Sequence, residues 1–203
     1  MNEFIEIPAN KKSLRQRRLV FGVGINDANY MVRIKIEDKY VICPYYQKWT
    51  AMLERCHSEK YQKKMPTYKG CSVCDEWLLF SNFKSWMAKQ DWEGKELDKD
   101  LLFHGNKVYS PKTCFFVPRS VNLLLGSCAS RRGEYPLGVS FNSKRGCYES
   151  SVSVNGKPEF VGRFPTPELA HEAYKVAKYK VIHATAMKCK EPLRGALLNH
   201  KII

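Results

Sequence analysis

Two aspartates separated by one residue are the side chains best suited to metal chemistry in this sequence. Asp98 and Asp100 stand in "LDKDLLFHGNKVY", a stretch that predicts a strand followed by a turn. Because side chains two positions apart on a strand point to the same face, both carboxylates are predicted to share one surface. Carboxylate oxygens suit a hard cation such as Mg²⁺. His104 and Asn106 fall in the predicted turn, where they can approach a phosphate group.

The eight cysteines raise a second kind of metal chemistry. Cys71 and Cys74 form a C-x-x-C pair, which is half of a common zinc-binding pattern. Together with Cys56 and Cys114, this pair predicts a candidate structural zinc site that ties the first long helix to the region after Asp98. Cys56 also fits the apolar face of that helix, so buried, metal-free thiols are the alternative.

Apolar spacing predicts the elements that must position these residues. The first long helix follows Pro44, and its apolar face consists of Tyr45, Trp49, Met52, Leu53 and Cys56. A second group of core aromatics consists of Trp77, Phe80, Phe83 and Trp86. Residues 97–122 then predict a strand, a turn, a second strand and the start of a helix.

The C-terminal part has the clearest pattern. The segments "LGVSFN", "YESSVSV" and "FVGRF" predict three short strands, and Asn155–Gly156 predicts a type I′ hairpin between the last two. Thr166 is a good N-cap, and Pro167 suits the first position of a following helix. The sequence therefore predicts an α+β protein whose C-terminal domain is a three-stranded antiparallel sheet packed against one helix.

Composition limits the partner and the compartment. The net charge is +14, from 34 basic and 20 acidic residues, which favours a polyanionic partner. No apolar run approaches the roughly 18–20 residues that a membrane span needs, and the N-terminus lacks the apolar core of a secretory signal. We therefore expect a cytoplasmic protein with reduced cysteines, no membrane partner and no small-molecule cofactor.

The C-terminal segment resembles the plant ethylene-response-factor (APETALA-type) DNA-binding domain. The matching positions are Gly138, Val139, Tyr148, Val152, Asn155, Gly156, Lys157, Gly162, Phe164, Thr166, Glu168, Ala170, Ala173 and Tyr174. In that family the sheet lies in the major groove of DNA, which implies double-stranded DNA as the partner here. Alternation along the strands gives the expected contacts from the sheet and its turns as Ser140, Asn142, Lys144, Arg145, Ser151, Ser153 and Lys157. Arg131, Arg132 and Lys99 are added as basic candidates outside the sheet.

The N-terminal part, from about residue 43 to 122, resembles phage-encoded HNH-like homing endonucleases. The matching residues are Tyr46, Trp49, Met52, Arg55, Cys56, Val73, Cys74, Trp77, Leu97, Asp98, Tyr109, Ser110, Pro111 and Cys114. Many phage homing endonucleases join an HNH-like cutter to an ethylene-response-type DNA binder, so the pairing of the two halves strengthens each resemblance.

The resemblance implies a ββα-metal centre that hydrolyses a phosphodiester bond in duplex DNA. Its implied catalytic residues are Asp98, Asp100, His104 and Asn122, with Mg²⁺ or a similar cation held by Asp98 and Asn122. Lys99 stands where such a centre often carries its base histidine, and Thr113 stands where many relatives place an asparagine. A lysine is a poor general base unless its pKa is strongly lowered.

Three hypotheses follow. The first is a metal-dependent endonuclease, and the second is a DNA-binding regulator or architectural protein whose HNH-like centre is degenerate. The third is an RNA or an inhibitory protein partner bound by the same basic surface. The expected organisation is a flexible basic arm (1–20), an HNH-like domain (21–125), a linker (126–136), the DNA-binding domain (137–185) and a basic tail (186–203). The sequence does not predict an oligomeric state.

Overall fold

The computed structural model of the chain describes residues 4–126 and 134–200. They form two units, the first ending at Phe116 and the second beginning at Val117. Helices and small sheets occur in both, so the predicted α+β class is confirmed. Among the helices of the described residues, none has both the length and the apolar character needed to cross a lipid bilayer.

The first unit consists of short helices and three two-stranded sheets. In chain order its elements are α1 (Lys11–Arg15), β1 (Arg33–Ile36), β2 (Lys39–Ile42), α2 (Pro44–His57), α3 (Glu59–Lys64), β3 (Ser72–Val73), α4 (Phe80–Met87), β4 (Lys95–Asp98), β5 (Val108–Tyr109) and the start of β6 (Phe115–Pro118). Short 3-10 turns occupy Pro66–Tyr68 and Asp75–Leu78. The hairpin of β1 and β2 is antiparallel, β3 pairs with β5 in parallel, and β4 pairs with β6.

Helix α2 carries the core of this unit. Trp49, Met52 and Leu53 are fully buried, as their helical spacing predicts. The indole Nε1 of Trp49 donates a 2.7 Å hydrogen bond to the Trp77 carbonyl. Trp77 and Phe83 pack edge to face with ring centroids 5.1 Å apart, which is a favourable arrangement for aromatic rings. The predicted aromatic core is therefore confirmed.

The N-terminal segment is attached to this core. Backbone hydrogen bonds join residues 7–9 to residues 29–31. The Arg17 guanidinium donates to the carbonyls of Asn26, Ala28 and Tyr30. The described part of the expected flexible arm, residues 4–20, is thus hydrogen-bonded to the unit at several points. Its many basic residues gave no indication of these contacts.

The region around residues 97–122 has the predicted order of two strands and a helix, with a long connection between the strands. Strand β4 pairs with β6, and the connection contains β5, which pairs with β3 instead. The division between the units falls inside β6, earlier than the expected linker at 126–136. Helix α5 (Arg119–Leu125), which the sequence assigns to the HNH-like domain, therefore belongs to the second unit.

The second unit is the predicted sheet with its helix. After α5 come β7 (Val139–Asn142), β8 (Cys147–Val154), β9 (Lys157–Phe164), α6 (Pro167–Ala186) and α7 (Leu193–Leu198). The strands are antiparallel in the order β7-β8-β9. Asn155 and Gly156 both have positive φ, at 50° and 80°, as the predicted type I′ turn requires. The Thr166 side chain accepts from the Leu169 N–H and caps α6, also as predicted.

One face of this sheet is covered by α6. Ser150 and Val152 of β8 are buried there, together with Ala170 and Tyr174 of the helix. Phe141 of β7 is 45% exposed. It lies on the same face but belongs to a small aromatic group with Tyr148, whose ring centroid is 5.1 Å away.

The C-terminal segment also differs from its expected form. Residues 186–203 are predicted as a basic tail, but they contain α7, which packs against α6. Leu197 is buried in this contact at 1% exposure. A short apolar group, "LRGALL", provides the packing surface within an otherwise basic segment.

Candidate functional site

Asp98 ends β4 and turns the chain. Its Oδ1 accepts the N–H groups of Asp100, at 3.0 Å, and Leu101, at 2.8 Å. This local bonding is typical of aspartate and breaks the strand after Asp98. Asp100 therefore lies beyond the strand, which corrects the expectation that both carboxylates share one strand face.

The two carboxyl groups have different environments. Asp98 is partly buried, whereas Asp100 is exposed. Burial raises the pKa of Asp98 above its ordinary value, an effect opposed by the Leu101 hydrogen bond and reinforced by the charge of Asp100. The two aspartates are thus close enough to interact, with one carboxylate half-covered and the other in solvent.

Lys99 points inward from this turn. It is 5% exposed, its Nζ donates to Asp100 Oδ2 at 3.2 Å, and it lies 5.8 Å from the centre of the Tyr109 ring. A lysine held in this way is not on the surface, which corrects the expectation that Lys99 contacts nucleic acid. The Asp98 turn explains the difference, because it directs the Asp100 side chain outward and the Lys99 side chain inward.

The loop after the aspartates is closed by its own polar side chains. Asn106 Nδ2 donates to the carbonyls of Lys99, at 2.6 Å, and Val108, at 2.8 Å. Its amide therefore serves the loop rather than a phosphate. Thr113 Oγ1 also donates to the Val108 carbonyl, at 2.8 Å. His104 lies exposed in the turn that these bonds define.

Asn122 is placed on α5 in the second unit. Its predicted pairing with Asp98 as a metal ligand involves residues of both units and stays a prediction. Within residues 4–126 and 134–200, no group of three or more His, Cys, Asp or Glu side chains is arranged to hold a metal ion.

The cysteines of the expected zinc site are mostly buried. Cys56, Cys71 and Cys114 are between 5% and 7% exposed, and Cys74 is partly exposed. Burial raises the pKa of Cys56 and that of Cys114 to about 12, and the neighbouring Cys71 adds to the effect on Cys56. Buried thiols are what the packing alternative expects, in which cysteine acts as a small apolar side chain.

The exposed face of the C-terminal sheet is polar and contains a cluster of linked charges. Its exposed or partly exposed side chains are Ser140, Asn142, Glu149, Ser151, Ser153, Phe160 and Arg163. Glu149 Oε1 accepts from Arg163 Nε at 2.9 Å and from Asn142 Nδ2 at 3.0 Å. Both hydrogen bonds lower the pKa of Glu149, and the one from Arg163 has the larger effect. The negative charge of Glu149 on this face is therefore balanced by a cation.

Arg163 is a residue of this face that is absent from the contacts predicted from the sequence. It lies opposite Glu149 on the neighbouring strand, and its guanidinium carbon is 5.1 Å from the centre of the Phe160 ring. Arginine held by an aromatic ring and a carboxylate is pre-oriented for a further hydrogen bond. The alternation of side chains in "FVGRF" could have indicated that Arg163 lies on this face. A bulge between Ser150 and Ser151 shifts the strand pairing there and hides that pattern.

Basic residues flank this face. Lys144 and Arg145 are exposed in the turn between β7 and β8, and Lys157 is exposed at the start of β9. The charge of Arg145 also contributes to lowering the pKa of Glu149, so this turn lies near the face. Arg131 and Arg132, two further expected contacts, lie outside the described residues.

We compared the chain with known protein families, curated proteins and solved structures. No family model, curated protein or solved structure matches the chain. The function must therefore be argued from the sites themselves.

Proposed function

We propose that this protein binds double-stranded DNA through the exposed face of the β7-β8-β9 sheet. The observation that carries the proposal is the arrangement of Arg163, Asn142 and Glu149, which neutralises the glutamate of the face and orients a guanidinium. Serine, asparagine and arginine side chains are hydrogen-bonding partners for phosphates and base edges. The opposite face is covered by α6, so the sheet has one face left for a ligand.

The charge of the chain supports a polyanion over a neutral partner. The net charge of +14 and the cations Lys144, Arg145 and Lys157 favour phosphate contacts and salt-sensitive binding. A strand ribbon can enter the major groove of B-form DNA, whereas the deep, narrow major groove of A-form RNA excludes it. The proposed compartment is the cytoplasm.

We also propose that the first unit hydrolyses phosphodiester bonds at Asp98 with a divalent cation. Two observations support this proposal. The Asp98 side chain accepts both of its hydrogen bonds from backbone N–H groups at one oxygen, Oδ1. The exposed carboxylate of Asp100 lies beside it. Mg²⁺ is usually bound by one or two carboxylates with waters and substrate phosphates, so these residues fit it without a larger protein cage. The cation supplies charge stabilisation of the phosphoryl and leaving oxygens.

Asp98 and Asp100 would orient the cation. His104, exposed in the adjacent turn, would take a proton from the attacking water. A non-catalytic DNA-binding protein is the competing proposal. It is favoured by Lys99, which occupies the position of the usual base histidine and is buried. Plasmid nicking in the presence of Mg²⁺ and of Mn²⁺ separates the two.

DNA binding by the sheet predicts opposite effects for two neighbouring substitutions. Arg163→Gln should weaken binding to a short duplex by about 10-fold, because it removes a cation and leaves Glu149 uncompensated. Glu149→Gln should strengthen binding, since it removes a negative charge and frees Arg163 while an amide oxygen can still accept from Asn142. Fluorescence anisotropy at fixed salt measures both.

Lys180→Gln is the matched control, because Lys180 is exposed on α6, which covers the other face. It removes the same charge and should change affinity by less than about threefold. Equal losses for the Arg163 and Lys180 variants, or weaker binding by the Glu149 variant, would count against binding through the sheet.

A further inference from the structure

Arg55 is a partly buried cation in the first unit that the proposed chemistry does not yet use. It lies in the last turn of α2. Its Nη1 donates one long hydrogen bond, 3.5 Å, to the Tyr109 hydroxyl, and its guanidinium carbon is 5.6 Å from the centre of the Tyr68 ring. A guanidinium has five N–H donors, so most of its capacity is not used by these contacts.

The surroundings of Arg55 provide no compensating negative charge. Among the described residues the structure gives it no carboxylate partner, and the nearest acid of the neighbouring loop, Asp100, is paired with Lys99. Burial raises the pKa of Tyr109, and that of Tyr68, so both phenols are neutral at physiological pH.

Two lysines lie near Arg55 or near its tyrosine partner. Lys48 precedes Arg55 by two turns of α2, and its pKa is lowered by burial and then by the charge of Arg55. Lys99 packs over the Tyr109 ring, on the side of the Asp98 turn. Lys48 lies near the carboxylate of Glu96 and Lys99 is paired with Asp100, so Arg55 is the cation of this group for which the described residues show no carboxylate partner.

The Arg55 guanidinium is nevertheless reachable from solvent. Within the described residues, the side-chain polar atoms that are fully buried without a partner are Trp77 Nε1 and Ser150 Oγ. The guanidinium nitrogens of Arg55 are not among them, so those that lack a protein acceptor must meet solvent. An arginine with free N–H donors and access to solvent can bind a phosphate through two parallel hydrogen bonds.

We propose that Arg55 binds a phosphate of the DNA backbone next to the Asp98 turn, with two of its N–H groups directed to the non-bridging oxygens. This inference rests on the proposed function, since it takes duplex DNA as the ligand. It assigns Arg55 as a positioning residue that fixes the backbone relative to Asp98. Tyr109 and Tyr68, which contact the guanidinium, hold it in place.

The test is the salt dependence of duplex binding by Arg55→Gln. Each phosphate contact contributes about 0.9 to the slope of log affinity against log salt, so the slope should fall by about that amount. Affinity near physiological salt should fall by about 10-fold. Arg33→Gln is the matched control, because Arg33 also stacks on a tyrosine, 4.0 Å from the Tyr40 ring centre, but is exposed on the β1–β2 hairpin.

A second measurement uses the unmodified protein, so it does not depend on the folding of a variant. Modification of arginines by a dicarbonyl reagent, mapped by mass spectrometry, should be slowed at Arg55 by duplex DNA and unchanged at Arg33. If the unmodified protein does not bind duplex DNA, the proposed function fails. If it binds and Arg55 is neither protected nor distinguishable from Arg33 in salt slope, this inference alone is overturned.

Discussion

Replacing Asp98 by asparagine is expected to reduce metal-dependent nicking of plasmid DNA by at least about 100-fold, because it removes the carboxylate charge that holds the cation. The substitution is nearly isosteric. The amide oxygen of the new side chain can still accept the N–H groups of Asp100 and Leu101, so the turn that ends β4 is preserved. Conversion of supercoiled plasmid to the nicked form in Mg²⁺ or Mn²⁺ measures the rate.

Asp38→Asn provides the control for this experiment. Asp38 is fully exposed at the end of the β1–β2 hairpin, where it pairs with Lys35 at 3.2 Å. Its loss removes the same charge from the same unit and should leave the nicking rate unchanged. Nicking by the Asp98 variant at the rate of the unmodified protein would exclude Asp98 as the centre, and a protein that binds DNA but never nicks it would establish the non-catalytic alternative.

Gly138→Ala is expected to lower the free energy of unfolding of the second unit by about 2–5 kcal/mol. Gly138 has φ of +79°, which is strained for any residue with a Cβ, and an added Cβ would lie 2.1 Å from Cδ2 of Tyr174. Tyr174 is only 4% exposed between α6 and the sheet, so its ring cannot move aside. Chemical denaturation followed by circular dichroism measures the loss.

Gly156→Ala separates the two causes of this effect. Gly156 has nearly the same φ, +80°, but an added Cβ there has no atom within 4 Å. Its loss of stability should therefore be the backbone part alone, about 1–2 kcal/mol. Equal losses at the two glycines would show that the close approach of Tyr174 to the sheet has little energetic weight.

The sequence predicted the elements whose signals are local. The apolar face of α2, the turn at Asn155–Gly156 and the cap at Thr166 depend on residues within a few positions of each other, and all three are confirmed. The sheet that they imply is confirmed as well. Helical periodicity and turn chemistry act within one element, so a single sequence carries them.

Local competition explains one difference between prediction and structure. Strand alternation placed Asp98 and Asp100 on one face, but the carboxylate of Asp98 bonds the backbone ahead of it and ends the strand. A strand pattern and an aspartate turn have similar sequences over so few residues. The same turn buries Lys99, although a lysine between two aspartates would be expected to lie on the surface.

Long-range contacts explain the others. Strand β5 pairs with β3, and Arg17 bonds to carbonyls further along the chain. Neither contact can be predicted from the spacing of residues within one element. On α6 the buried residues follow every fourth position and include Lys178, whereas the apolar residues Leu169 and Val176 are exposed. The orientation of Arg163 depends on its hydrogen bond to Glu149, a residue 14 positions away, which no local sequence pattern indicates.

The central claim, that duplex DNA lies against the exposed face of the C-terminal sheet, is tested most directly by adding negative charge to that face. Ser151 and Ser153 are both exposed on the middle strand, so changing both to glutamate should leave the sheet folded. Affinity for a short duplex is expected to fall by about 100-fold or more, because like charges at an interface cost several kcal/mol. Glutamates at Ala184 and Met187, which are exposed at the C-terminal end of α6, add the same charge and should cost less than about threefold. Equal losses for the two double variants, or undiminished binding by the sheet variant, would contradict the account.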